Sequence, residues 1–170
     1  ADGQVAAASR LGAVLLRAKD GRWRALRSPG IDSLMCVTEA DLPDAELLAV
    51  GEFGTLLRKP PGKNELVPVP TGDLPPGSLV SIAGNAKAGW YVALQTSTDV
   101  TLFHTAAIES GKWTALRKES VAFDIWRGAN SFWMWGDKAG MGYAVSAGPI
   151  RRLDYGSGQW TDYATPNKER

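Results

Sequence analysis

With 170 residues, 44% of them hydrophobic and 22% charged, the chain has the composition of a folded protein long enough to bury a core. Nineteen Lys and Arg against eighteen Asp and Glu leave a net charge of +1, which gives no global electrostatic case for nucleic acid or an anionic surface. No stretch approaches the ~18 uninterrupted apolar residues of a membrane-spanning helix, and Cys36 is the one cysteine, so a disulfide framework is excluded.

Read in chain order, short β-rich runs recur in four units. The first unit holds runs at 5–8, 14–17 and 21–26, the last opening on Gly21-Arg22-Trp23. The second holds 34–37, 47–50 and 55–58, followed by Gly62-Lys63-Asn64 where a Trp is missing. Residues 39–47 between its first two runs have the length for a helical turn, but Pro43 and the surrounding carboxylates favour a loop. The third unit holds 79–82, 90–93, 101–104 and 111–116 with Trp113, and the fourth 123–126, 132–135, 142–145 and 158–163 with Trp160. The runs beginning at 5, 47, 90 and 132 are spaced by 42, 43 and 42 residues.

Strands of four to six residues between Gly, Pro, Asn and Asp turns, in a unit of this length, predict an all-β propeller with one blade of ~40–50 residues per repeat. The expected repeats are 4–31, 32–72, 77–119 and 121–164 of a single domain, with 165–170 a frayed tail. Fifteen strands are expected, three in the first unit and four in each of the others. A propeller usually closes by completing its first or last blade with a strand from the other terminus, and no such run follows Trp160. The ring is therefore expected to be incomplete or completed by a partner, with an oligomer through the open terminal blade as one route. A start at Ala1 without Met suggests a removed signal peptide or a longer chain, and the expected location is periplasmic or extracellular.

The stretch from Ala49 through Gly51-Glu52-Phe53-Gly54 to Arg58, with the turns Asp20-Gly21-Arg22-Trp23, Ser110-Gly111-Lys112-Trp113 and Ser157-Gly158-Gln159-Trp160, resembles the propeller repeats of photosystem II assembly factors and the related neuraminidase (Asp-box) repeats. The full Asp-box pattern Ser-x-Asp-x-Gly-x-Thr-Trp is nowhere intact, and that family usually has more than four blades. The resemblance implies a binding or assembly scaffold and no catalytic residue. In the turn itself, Asp or Ser bonds the backbone, Gly supplies the permissive conformation, and the Trp packs between blades.

Other constellations are thin. His104, the one histidine, ends a strand rather than sitting where an orienting carboxylate could hold it. It lies in a different repeat from Cys36, so no metal site is expected, and no cofactor. A neuraminidase-type hydrolase would need an arginine cluster, an acid and a tyrosine, which Arg17, Arg58, Arg27 and Arg117 with Tyr91 or Tyr143 could supply on paper. Gly51-Glu52-Phe53-Gly54 reads as a hairpin turn rather than a phosphate loop.

Charge is patterned: 10–31 carries six basic residues and one acid, and 32–52 carries six acids and no base. These blocks can neutralise one another across blades or steer a charged partner. If the strands align, Arg17, Arg58 and His104 fall on one rim and Arg27 and Arg117 at matching strand ends, a basic arc for an acidic peptide or glycan. Alternation sends Trp133 and Trp135 to one face of their strand and Phe132 and Met134 to the other, as for a strand sandwiched between blades. The rival use of Trp90, Trp126 and Trp133 is a stacking platform for sugar or peptide. The expected function is a non-catalytic protein-binding scaffold, an assembly or accessory subunit; a carbohydrate-binding propeller and a degenerate neuraminidase-type hydrolase are the alternatives.

Overall fold

The computed structural model describes residues 5–18, 20–39, 47–120, 132–145 and 149–164. Its strands form four antiparallel sheets, each built from strands consecutive in the chain. The first sheet has three: β1 (Val5–Ala8), β2 (Val14–Arg17) and β3 (Trp23–Leu26). The second has β4 (Leu34–Glu39), β5 (Leu47–Gly51), β6 (Leu56–Lys59) and the two-residue edge strand β7 (Val67–Pro68). The third, with the longest strands, has β8 (Ser78–Asn85), β9 (Gly89–Gln95), β10 (Asp99–Thr105) and β11 (Thr114–Ser120). The fourth has β12 (Phe132–Gly136), β13 (Gly140–Val145), β14 (Ile150–Asp154) and β15 (Trp160–Tyr163).

The fourth sheet departs from the expected pattern. The run at 123–126 lies outside the described residues, and among the described residues 132–135 belongs to the sheet's first strand. Its third strand, β14, carries Arg151 and Arg152 in the middle of Ile150–Asp154, which hides its alternation from a hydrophobicity reading.

The Asp/Ser-Gly-x-Trp turns are built as their chemistry dictates. Asp20 Oδ1 accepts from the Arg22 backbone N–H at 3.0 Å, Ser110 Oγ from Lys112 at 3.1 Å, and Ser157 Oγ from Gln159 at 3.3 Å. The glycine between each pair takes a left-handed conformation, with φ of 83°, 63° and 68° at Gly21, Gly111 and Gly158.

Three apolar cores lie between sheets, and each joins neighbours in chain order. Val14, Leu16 and Leu26 pack on Leu34, Leu47, Ala49 and Leu57 between the first and second sheets. Leu48, Val50 and Leu56 pack on Leu79, Ile82, Trp90, Val92 and Trp113 between the second and third. Val80, Tyr91, Ala93 and Leu102 pack on Phe132, Met141, Tyr143 and Leu153 between the third and fourth. Every inner sheet thus buries both faces, and each end sheet buries one. Among the described residues no core joins the fourth sheet to the first, so the molecule is an open arc.

The turn tryptophans follow this order. Trp113 packs toward the second sheet and Trp160 toward the third, each on the sheet before its own. Trp23 sits at the equivalent place in the first sheet, which has no sheet before it, and is 51% exposed. The expectation that it packs between blades fails there because, among the described residues, no sheet lies against that face.

Candidate functional site

The tight turn between β5 and β6 forms the most distinctive surface feature. Gly51 lies so close to the Ser33 carbonyl that no Cβ fits, and the Glu52 N–H donates to that same Ser33 carbonyl at 2.9 Å. The Thr55 N–H returns to the Glu52 carbonyl at 3.0 Å, closing a single 3-10 turn over Glu52–Gly54. The Thr55 hydroxyl donates to Asp32 Oδ2 at 3.2 Å, so the turn is tied to the link preceding β4 on both sides. At its apex Phe53 has φ 55° and ψ 30°; among the described residues it is the one non-glycine with positive φ, and its side chain is 83% exposed. An L-residue in this region costs about 1–2 kcal/mol, and here the ring is not repaid by burial.

Clefts open on both sides of this ridge. One, of about 580 Å³, runs toward the third sheet and is lined by Met35, Phe53, Pro76, Gly77, Gln95 and Ser97. The other, of about 300 Å³, runs toward the first sheet past Ser28, Pro29, Asp32, Gly54, Thr55 and Pro68. Both adjoin the β5–β6 turn, Phe53 lining the larger cleft and Gly54 and Thr55 the smaller. The sequence marked this turn as geometric only; an aromatic between glycines at a hairpin apex is the signal that pointed further.

The residues singled out in the sequence scatter. Arg58 lies opposite Leu48 and forms an ion pair with Glu109, while His104 lies opposite Tyr91, its ring tilted 40° against that of Tyr91 with centroids 4.6 Å apart and its Nε2 donating to the Ala88 carbonyl at 3.0 Å. Both face the sheet that follows their own. Arg17 does not: Val14 and Leu16 fill the core, so alternation turns Arg17 with Leu15 to the outer side of the first sheet, beside Val5 and Trp23. The first hairpin pairs Val5 with Arg17 as the second pairs Leu47 with Lys59, so Arg17 matches Lys59 rather than Arg58 and the basic arc breaks. Arg27 is exposed just beyond β3, next to Ser28 of the smaller cleft, where its backbone bridges Glu65. Arg117 is in the middle of β11, not at a strand end. Trp90 is 3% exposed within the core between second and third sheets and presents no surface. Trp133 is 54% exposed and Trp135 48%, because the strand they occupy is covered only on its Phe132 and Met134 side. The sandwiched reading of that strand is corrected accordingly.

An unforeseen ionic cluster pins the last two sheets together. Glu119 Oε1 accepts from Arg117 Nε at 2.7 Å, from Arg151 at 3.0 Å and from the Tyr143 hydroxyl at 2.8 Å, and Arg151 also meets Asp162 at 3.4 Å. Tyr143 is fully buried, and burial together with the hydrogen bond to Glu119 pushes its phenol up. Arginines, a carboxylate and a tyrosine are thus assembled, but Tyr143 is fully buried between sheets while Arg117 and Asp162 reach the surface. Among the described residues no group of three or more His, Cys, Asp or Glu could hold a metal ion, and no helix is long and apolar enough to cross a membrane.

No protein-family model and no curated protein matches the sequence. Solved structures do match. Against "YCF48 bound to D1 peptide" the chain has 16% identity and a TM-score of 0.59 over all of its own length and 52% of that chain. Against "YCF48 from Cyanidioschyzon merolae" it has 15% identity and a TM-score of 0.52, over 97% of its own length and 56% of that chain. The fold is that of a β-propeller. The chain spans about half the length of these propellers, in keeping with an arc of four blades that does not close on itself. The photosystem II assembly factor resemblance therefore holds at the level of fold, while the neuraminidase resemblance rests on the turn sequences alone.

Proposed function

We propose that the chain is a non-catalytic protein-binding scaffold, an assembly or accessory subunit, that takes an extended peptide across the Phe53 rim of its second blade. The observation that carries this is Phe53 itself: an exposed aromatic ring, held in a left-handed backbone conformation by a turn anchored at Ser33 and Asp32. Residues kept in such conformations at a cost cluster at ligand-binding sites. The flanking clefts are within the ~300–1,000 Å³ range of ligand pockets, of a size to take side chains on either side of an aromatic anchor. Pro29, Pro68 and Pro76 with Phe53 give the strip an apolar floor, and Asp32, Gln95, Thr96 and Ser97 give it polar partners for a peptide backbone. Arg27, alone among the basic residues singled out in the sequence, stands beside this strip and favours an acid at that end of the peptide.

The likeness to a propeller whose structure is described with a bound D1 peptide supports a peptide as the partner class. The burial of Tyr143 weighs against the hydrolase alternative, since this tyrosine has no exposed surface from which to attack a substrate.

The test is fluorescence anisotropy of a labelled D1 peptide titrated with the chain and with Phe53→Ala. Saturable binding that weakens at least about tenfold in the variant is expected for an aromatic anchor. Equal binding by both proteins, or none by the parent, refutes the reading.

A further inference from the structure

We propose that the larger cleft beside Phe53 selects an arginine side chain of the bound peptide, its guanidinium lying on the Phe53 ring and donating to the side-chain carbonyl of Gln95. This rests on the peptide reading above and adds which side chain the cleft takes.

The lining of the cleft suits a long side chain that is apolar along its stem and polar at its tip. Met35, Pro76 and Val80 supply apolar wall, and Gln95, Thr96 and Ser97 supply polar groups. Arginine and lysine pack in this way, the stem on apolar surface and the charged head among polar partners.

One of those polar groups lacks a partner. Thr96 is engaged, since its backbone N–H and its hydroxyl both donate to the Asp99 carbonyl, at 2.9 Å and 3.4 Å. Gln95 ends β9 between Ser78 and Val100, so its backbone is fixed by the sheet. Its Oε1 is shielded from solvent and, among the described residues, accepts no hydrogen bond. A shielded acceptor left without a donor keeps the full cost of its lost hydration. The last torsion of a glutamine is broad, so the amide turns toward a donor arriving in the cleft at little cost.

Charge decides the kind of donor. No residue lining the cleft is charged. The charges on the ridge itself are acids: Glu52 precedes Phe53 in the turn, and Asp32 accepts from the Thr55 hydroxyl on its other flank. Both belong to the stretch 32–52, with six acids and no base, for which peptide binding alone gave no use. Lys118, near the turn after β9, is held by Asp99 at 2.9 Å. An anionic side chain in the cleft would thus meet a carbonyl oxygen, the negative face of an aromatic ring and carboxylates of its own sign, and a cation meets the complement of each.

Arginine fits better than lysine. A planar guanidinium lies flat on a ring that is 83% exposed and still forks its N–H groups toward Gln95, whereas an ammonium is a point charge. The left-handed backbone at Phe53 then serves to hold the ring face out. With Arg27 beside the smaller cleft, a peptide carrying its base at one cleft and its acid toward the other lies in one direction only.

The test has two arms. In the first, the amides of N-acetyl arginine, lysine, leucine and glutamate are titrated in turn into the ¹⁵N-labelled chain, reading the Gln95 side-chain NH₂ and the Phe53 amide by NMR. In the second, each position of the labelled D1 peptide is replaced in turn by arginine and by glutamate, and binding is read by anisotropy with the parent and with Gln95→Leu. The arginine amide is expected to shift both signals saturably, the lysine amide less, and the leucine and glutamate amides not at all. One peptide position is expected to bind at least about tenfold tighter as arginine than as glutamate, and Gln95→Leu to lose that preference there. Shifts from the leucine or glutamate amide as large as those from arginine, or a preference that survives Gln95→Leu, overturn the proposal while leaving peptide binding intact. A D1 peptide that fails to bind where the arginine amide does refutes the peptide reading instead, so the two failures are told apart. Should Gln95→Leu not fold, the four amides on the parent chain still decide the cleft's choice.

Discussion

Phe53→Gly separates the backbone at the rim from its side chain. The ring is 83% exposed, so its removal forfeits little burial, while the backbone at φ 55° and ψ 30° is held against the preference of any L-residue. Relief of that strain contributes about 1–2 kcal/mol, and the extra freedom of glycine in the unfolded chain takes back about 0.5–1 kcal/mol. The net is a stabilisation of about 0–1.5 kcal/mol, and at ~2–4 °C per kcal/mol for a domain of this size the melting temperature rises by up to about 6 °C. Peptide binding, which needs the ring, falls with that of Phe53→Ala even though the fold is firmer. Thermal denaturation by circular dichroism and the anisotropy titration read the two effects side by side. A fall in melting temperature of several degrees would refute the reasoning, because it would make Phe53 a packing residue rather than a strained and exposed one.

Other expectations follow from the contacts between blades. Tyr143→Phe removes a buried hydrogen bond to a carboxylate and is expected to cost about 1.5–3 kcal/mol, with Glu119→Ala costing more because it strips Arg117 and Arg151 of their shared partner; urea titrations giving the reverse order would contradict the cluster's role. Gly72→Ala places a Cβ onto the Gly111 carbonyl at φ 56°, where backbone meets backbone and neither side chain can yield, and is expected to cost about 2 kcal/mol or more; a melting temperature unchanged from the parent would argue against the close approach of these loops. The Asp137 carboxyl is held below its usual range by the backbone N–H groups of Ala139 and Gly140, and that of Asp154 by the backbone N–H and hydroxyl of Ser157. Their contribution to stability is therefore complete above the unfolded value near pH ~4 and is lost as pH falls toward the lowered folded values. Asp137→Asn is expected to flatten the acid limb of stability against pH, and an unchanged limb would refute this.

The fold was legible where repeated local chemistry carries it. Asp20, Ser110 and Ser157 bond the backbone two residues on, each before a left-handed glycine, and those turns place three of the outer strands from sequence alone. The three-stranded first blade and the open arc were likewise readable from a missing run. Legibility failed where a side chain answers to a neighbour rather than to its own strand. β14 was hidden because Arg151, partnered by Glu119 across the blade seam and by Asp162 on the next strand, takes a place that looks solvated on paper. Arg17 was aligned with Arg58 by its letter, yet the strand register matches it with Lys59, one residue on, which turns it to the other face. Trp23 and Trp133 share composition with buried Trp113 and Trp90, and only the position of their blades at the ends of the arc leaves them exposed. Phe53 could not be weighed until the turn showed its backbone angle.

The central claim is that this propeller segment works by holding a peptide on the Phe53 rim. An NMR titration of the ¹⁵N-labelled chain with the D1 peptide tests it most directly, because amide shifts report where the peptide lies as well as whether it binds. The account predicts saturable shifts at Phe53, Gly54, Gly77 and Ser97, on the walls of the two clefts, and their loss in Phe53→Gly. Unchanged spectra at saturating peptide, or shifts confined to the Trp133 face, would contradict it.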